Sequence, residues 1–282
     1  MATPRILLSN DDGIMAPGIR TLAAALEGLG ELWLVAPDRE QSATSHSISL
    51  HRPLRLRQLA EREFAVDGTP TDSVYMGLHH VMPGPPDVVV SGINDGPNLG
   101  NDVLYSGTVS AAMEGALFGY KAVAISLCLP EVRTGPSLPS DFEPAAQIAA
   151  ELVAGVLARP MPRGVVLNVN VPRGPRTSLK GIKLTRLGYT DWADAVDVRK
   201  DPRGKPYYWI GGARTGHDAI ADSDNNAIAA GYVTVTPIHY DLTDYRSFAF
   251  TRELEVSGLA RVADALGDAP LAHPVHPRHP RG

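Results

Sequence analysis

Ile6-Leu7-Leu8-Ser9-Asn10-Asp11-Asp12-Gly13 sets the reading of the whole chain. Three apolar residues, too few for a helix, break into a polar and doubly acidic turn that ends in glycine. Helical spacing follows at once: Ile19, Leu22, Ala23, Leu26 and Leu29 share a face, and Gly28 and Gly30 punctuate its end. The unit is therefore strand, acidic loop, helix. It recurs outward along the chain. Leu32-Trp33-Leu34-Val35-Ala36 is a second buried strand closed by Pro37, and Asp72 to His80 is a helix. Asp87 to Ile93 is a third strand. Val109 to Tyr120 is a helix with Val109, Ala112, Met113, Ala116 and Leu117 on one side. Val123 to Leu127, Pro144 to Leu157 and Val165 to Val171 extend the alternation as strand, helix and strand. Strands that are apolar throughout, alternating with helices, form a parallel sheet covered on both faces. The expected fold class is α/β, with a mostly parallel sheet and helices on both faces over residues 1–172.

After Pro172 the character changes. Residues 173–250 carry many Gly, Asp, Tyr and Trp residues and little helical period, and Tyr232-Val233-Thr234-Val235-Thr236 alternates as a half-exposed strand. Residues 173–266 read as a β-rich C-terminal appendage used for oligomerisation, ending in a helix from Glu255 to Leu266. Residues 267–282, rich in Pro and His, read as a disordered tail. Between Tyr232 and Arg252 lie Tyr232, Val233, Val235, Ile238, Tyr240 and Leu242, and also Tyr245, Phe248 and Phe250. So apolar an appendage needs a partner, and a second copy exchanging an arm after about residue 225 supplies one.

The chain has 282 residues, enough to bury a sizeable core, and a net charge of −5 spread without runs. That balance disfavours nucleic acid as the main partner. The single cysteine, Cys128, sits in an apolar run and reads as a small buried hydrophobe. No signal-peptide pattern and no membrane-length apolar run are seen, so a cytoplasmic location without membrane attachment is expected.

Ligands of open parallel sheets bind beyond the carboxyl ends of the strands. Here those ends are polar. The first delivers Asp11 and Asp12, the second Asp38-Arg39-Glu40-Gln41-Ser42, the third Ser91-Gly92-Ile93-Asn94 and the loop through Asn98 to Asp102. Adjacent carboxylates beside a buried strand repel each other and resist desolvation, and a cation relieves both costs. A helix cap plus a solvated turn acid explains the pair equally well when it is taken alone. Ser42 and Asn94 add neutral oxygens, and an all-oxygen set suits magnesium, manganese or calcium over zinc or copper. Ser106-Gly107-Thr108 precedes a helix and can hold phosphate at its N-terminus, or simply cap it. Asn98 joins these as a phosphate-binding candidate. His46 reads as a solvated loop histidine, and Gly68-Thr69-Pro70-Thr71-Asp72 as a wall of the site or a cap. The dinucleotide fingerprint, the Walker A loop and the Gly-x-Ser-x-Gly elbow are absent.

Several segments in order resemble one family, that of the stationary-phase survival protein SurE. They are Ile6 to Gly13, Val35 to Ala43, Asp67 to Asp72, Val90 to Gly100, Tyr105 to Ala112, Asn168 to Pro172 and Gly231 to Pro237. The resemblance runs from about Arg5 to Asp241. Ser45 departs from it, standing where many members carry glycine. The resemblance implies a Rossmann-like core and a metal-dependent phosphatase that hydrolyses nucleoside 5'-monophosphates, with 3'-monophosphates and short polyphosphate as further substrates. It implies one divalent cation per subunit, Mg2+ or Mn2+, on Asp11, Asp12, Ser42 and Asn94. Phosphate falls to Ser106, Gly107 and Thr108, catalysis to Asp11, Asp12, Asn94 and Thr108, and assembly is as a homodimer or homotetramer. The rival reading is a nucleotide sensor that binds on the same rim without turnover.

Overall fold

A computed structural model describes residues 3–128, 135–193, 195–211, 214–248 and 250. β1 (Arg5–Ser9) runs into the acidic turn, and α1 (Pro17–Leu26) leads back to β2 (Glu31–Pro37). A ribbon of β3 (Leu56–Ala60) and β4 (Glu63–Val66) precedes α2 (Pro70–Met76). β5 (Val88–Asp95), α3 (Gly107–Leu117), β6 (Lys121–Cys128), α4 (Pro139–Ala158) and β7 (Val165–Pro172) complete the alternation. Then come β8 (Ile182–Leu184), β9 (Thr190–Trp192), a hairpin of β10 (Ala195–Lys200) and β11 (Pro206–Gly211), β12 (Arg214–His217), α5 (Asp224–Ala229) and β13 (Val233–His239).

Nine strands form the main sheet in the order β3-β4-β2-β1-β5-β6-β7-β13-β8. From β4 to β7 neighbouring strands are parallel, while β3 and β13 run antiparallel to β4 and β7. The winding reverses between β1 and β5, so the carboxyl ends of these two strands flank a crevice. Successive residues of β1 point to opposite faces. Ile6 and Leu8 pack with Ile19, Leu22, Phe142 and Ala145 of α1 and α4. Leu7 packs with Val74 and Leu78 around α2 and with Ala111 of α3. This is the expected α/β class, with a mostly parallel sheet and helices on both faces.

Three departures have physical causes. The fourth helix was expected to open at Pro144, yet it opens at Pro139. There the free N–H of Leu138 donates to Asp141 at 2.8 Å, and Pro144 is taken into the second turn. β3 and β4 escape the apolar reading because Arg57, Gln58 and Glu63 interrupt them at a half-exposed edge. The sheet also continues past Pro172. β13 joins β7 in register from Thr234↔Asn170 to His239↔Val165, with β8 on its other side. Val233 and Thr234 are buried, because the strand lies between two others and is not half-exposed. Residues 233–239 thus lie in the chain's own sheet, not in an arm leaving it. The helix expected at 255–266 and the tail at 267–282 fall outside the described residues. No helix among the described residues is long and apolar enough to cross a membrane.

Candidate functional site

The crevice at the β1/β5 switch opens into a cavity of about 710 Å3 whose wall includes Asp11, Asp12, Ser42, Asn94, Asn98 and Ser106. The fold therefore brings all four metal-binding candidates to one place. Gln41 N–H donates to Asp11 O at 2.8 Å, which seats the loop after β2 against the acidic turn. β5 reaches the cavity through an irregularity, since its register with β6 shifts between Ser91 and Asn94. Gly92 lies there at φ +133, and a Cβ would stand 2.3 Å from Ile125 O, so only glycine fits. The shift re-aims the strand end and puts Asn94 and Asp95 on the wall. The Asn94 amide donates to Gly96 O at 2.8 Å, which leaves its oxygen as the end able to ligate. Ser42 donates to Glu40 at 2.7 Å, and Glu40 is a cavity carboxylate that the sequence reading missed.

Asp11 is nearly buried against the N-terminus of α3. The Thr108 hydroxyl donates to its carboxylate. A Cβ on Gly107 would stand 2.8 Å from Asp11 Cβ, so glycine lets the carboxylate sit against the helix end, where the backbone dipole favours negative charge. Burial still raises the Asp11 pKa, against the hydrogen bond from Thr108. Asp12 accepts from Asp95 N–H at 3.1 Å. Burial, and then the charge of Asp11, push its pKa from 3.8 up to about 7.

The phosphate candidates divide. Ser106 is on the cavity wall and caps α3, accepting from Val109 N–H at 3.0 Å. Thr108 is fully buried behind Asp11 with its hydroxyl hydrogen committed there, so it orients the carboxylate in this arrangement. Asn98 lines the cavity, but its amide donates to Ser126 at 2.7 Å, and its backbone oxygen accepts from Asn168 and Asn170 at 2.8 and 3.0 Å. Those two asparagines, polar positions in an apolar strand, were a legible signal that was passed over. His46 lies in an exposed loop, as expected, but it is not without a partner, since Nε2 lies 2.7 Å from the nearly buried Glu114 carboxylate. Thr69 and Asp72 form a reciprocal helix cap, not a wall of the site. Cys128 is buried, and burial raises its pKa.

The cavity wall carries Asp11, Asp12, Glu40, Asp95 and Asp102, and among the described residues no Lys, Arg or His lines it. No cluster of three or more His, Cys, Asp or Glu suited to a metal exists among the described residues.

The family model described as "Survival protein SurE" matches residues 6–194. The 5'-nucleotidase SurE of Anaeromyxobacter dehalogenans (strain 2CP-C) is 56% identical over 257 residues, covering 90% of this chain and 97% of the relative. That of Geotalea daltonii is 46% identical over 252 residues, covering 89% and 99%. The crystal structure of the SurE protein from Aquifex aeolicus superposes with a TM-score of 0.77 at 41% identity, covering 88% of this chain and 98% of that one. Sequence, fold and the order of the motifs around the crevice agree, and the chain belongs to the SurE survival-protein family.

Proposed function

We propose that the cavity is the active site of a 5'-nucleotidase, which hydrolyses nucleoside 5'-monophosphates to nucleoside and phosphate. The chain is thus a phosphoric monoester hydrolase. The observation that carries the reading is the acid wall without a basic residue. A phosphate dianion is repelled from such a wall unless a cation is held there.

The donors suit such a cation: two carboxylates, a hydroxyl and an amide oxygen, with neither thiolate nor imidazole. The preference is for hard divalent ions, and we assign one Mg2+ or Mn2+ per subunit to Asp11, Asp12, Ser42 and Asn94. When bound, the ion neutralises charge on phosphate oxygens and lowers the pKa of a water. The chain's own groups do the rest. Thr108 and the α3 N-terminus orient Asp11 and offset part of the burial that raises its pKa. Asp12, whose pKa burial and Asp11 raise to about 7, would hold the ion as the carboxylate. Ser106 and the backbone at Gly107 face the phosphoryl oxygens, and Asn98, fixed by Ser126, Asn168 and Asn170, shapes the same wall.

A panel of 5'-AMP, 3'-AMP, tripolyphosphate and a chromogenic phosphomonoester, read as phosphate release with manganese present, tests this. The 5'-monophosphate turns over; binding without release from any of them favours the sensor reading.

For assembly we propose a homodimer or homotetramer. The support is exposed apolar surface on the β10–β11 hairpin, where Tyr208, Trp209 and Ile210 are 62, 61 and 95% exposed, and at Leu242 and Phe250. A cytoplasmic location accords with the free thiol of Cys128.

A further inference from the structure

The cavity is much larger than a phosphoryl group requires. At about 710 Å3 it falls in the range of roughly 300–1,000 Å3 typical of small-molecule sites. Its acid end is accounted for above. The same wall also carries two aromatic rings, Tyr105 and Trp192. Both are well exposed, at 67 and 51%.

Trp192 is nevertheless held firmly. Its indole N–H donates to Asp102 Oδ1 at 2.9 Å. One strand position earlier but one, Thr190 N–H donates to Asn101 Oδ1 at 2.8 Å. Further back, Asp224, fully buried, accepts from Gly100 N–H at 2.9 Å and from Gly188 N–H at 2.8 Å, clamping together the rim loop and the segment that leads into β9. Three side chains therefore stitch β9 to the loop that precedes α3. The indole is fixed by its polar edge, and its apolar face remains uncovered.

A fixed, half-exposed indole on the same cavity wall as the acid cluster has a specific use. Nucleobases are flat π-systems, and aromatic rings bind them by stacking with little dependence on hydrogen-bond pattern. We propose that Trp192, with Tyr105 on the same wall, is the base platform of the site, and that it favours purine over pyrimidine nucleotides through the larger stacking face. This rests on the 5'-nucleotidase reading and assigns the determinant of specificity within it.

The test compares 5'-AMP, 5'-UMP and ribose 5-phosphate, which has the sugar and phosphate but no base, in wild type, Trp192→Ala and Trp192→Phe. Loss of stacking in the alanine variant raises KM for AMP about tenfold or more, with little of the effect on kcat. The AMP-over-UMP preference shrinks toward unity, and ribose 5-phosphate changes far less than AMP. Phenylalanine keeps a stacking face and restores most of the AMP affinity, although it gives up the bond to Asp102. Equal losses on AMP and ribose 5-phosphate would mean that Trp192 only shapes the site, and unchanged AMP kinetics that it does not touch substrate; either overturns the platform. Wild-type failure on all three substrates would instead overturn the nucleotidase reading beneath it.

Discussion

The rim of the β1/β5 crevice and the β10–β11 hairpin break the same rule in opposite directions. At the rim, polar side chains are buried: Thr108 and Asp224 completely, Asp11 and Asn98 nearly so. On the hairpin, apolar side chains are in solvent, Ile210 almost entirely. Burying an acid and exposing an isoleucine each cost stability unless something absent from the isolated chain compensates. The compensation differs. The acids face inward on a cavity and need a small cation, whereas the hairpin faces outward and needs a surface. The family model reaches residue 194 and covers every residue of the cavity wall, though not Asp224 behind it, while the hairpin begins at residue 195. The proposed active site and the proposed assembly surface thus fall in separate parts of the chain.

That separation can be broken or sharpened by substitution. Asp12→Asn should have the largest effect. AMP turnover falls more than about a hundredfold, because a cation site loses a charge, yet the metal-free variant melts no lower than metal-free wild type, because acid repulsion is relieved. Intact turnover with lost stability would make Asp12 a structural cap. Gly107→Ala comes next. The new Cβ must displace Asp11, and a shift near 1 Å at a reacting centre costs on the order of a hundredfold in rate, with thermal melting as the control for folding.

A smaller effect concerns pH. In the folded protein burial and Asp11 raise the Asp12 pKa to about 7 from its ordinary 3.8. Between those values the folded chain holds a proton that the unfolded chain has released, so metal-free protein loses stability as pH rises through this window. Melts across pH 4.5–7.5 should show that decline in wild type and a flatter profile in Asp12→Asn; parallel profiles would remove Asp12 as its source. The smallest effect on activity belongs to the hairpin. Replacing Tyr208, Trp209 and Ile210 by serine should leave AMP turnover within about twofold, as expected for exposed positions away from the site, while light scattering reports a smaller assembly. A large loss of turnover with unchanged mass would join the two regions that are separated here.

Legibility followed the range of the interactions. The acidic turn after Ile6-Leu7-Leu8, and the convergence of the strand ends bearing Ser42 and Asn94, could be read because local periodicity fixes strands and helices and the sheet's winding fixes where their ends meet. The hydrogen bond from Thr108 to Asp11 could not, since it joins residues 97 apart and no local pattern encodes it. The same holds for Asp224, which serves Gly100 across 124 positions, and for His46 and Glu114 across 68. β13 misled for another reason. Its alternating Thr and Val residues match a half-exposed strand, but Thr185 and Thr236 hydrogen-bond to each other at 2.7 Å, which lets Thr236 be buried.

The central claim is that the acid wall works only with a divalent cation. The direct test is phosphate release from 5'-AMP by one preparation before chelation, after stripping with EDTA and dialysis, and after manganese or magnesium is returned. Stripping should abolish release and either ion should restore it. Full release by the stripped protein would contradict the account.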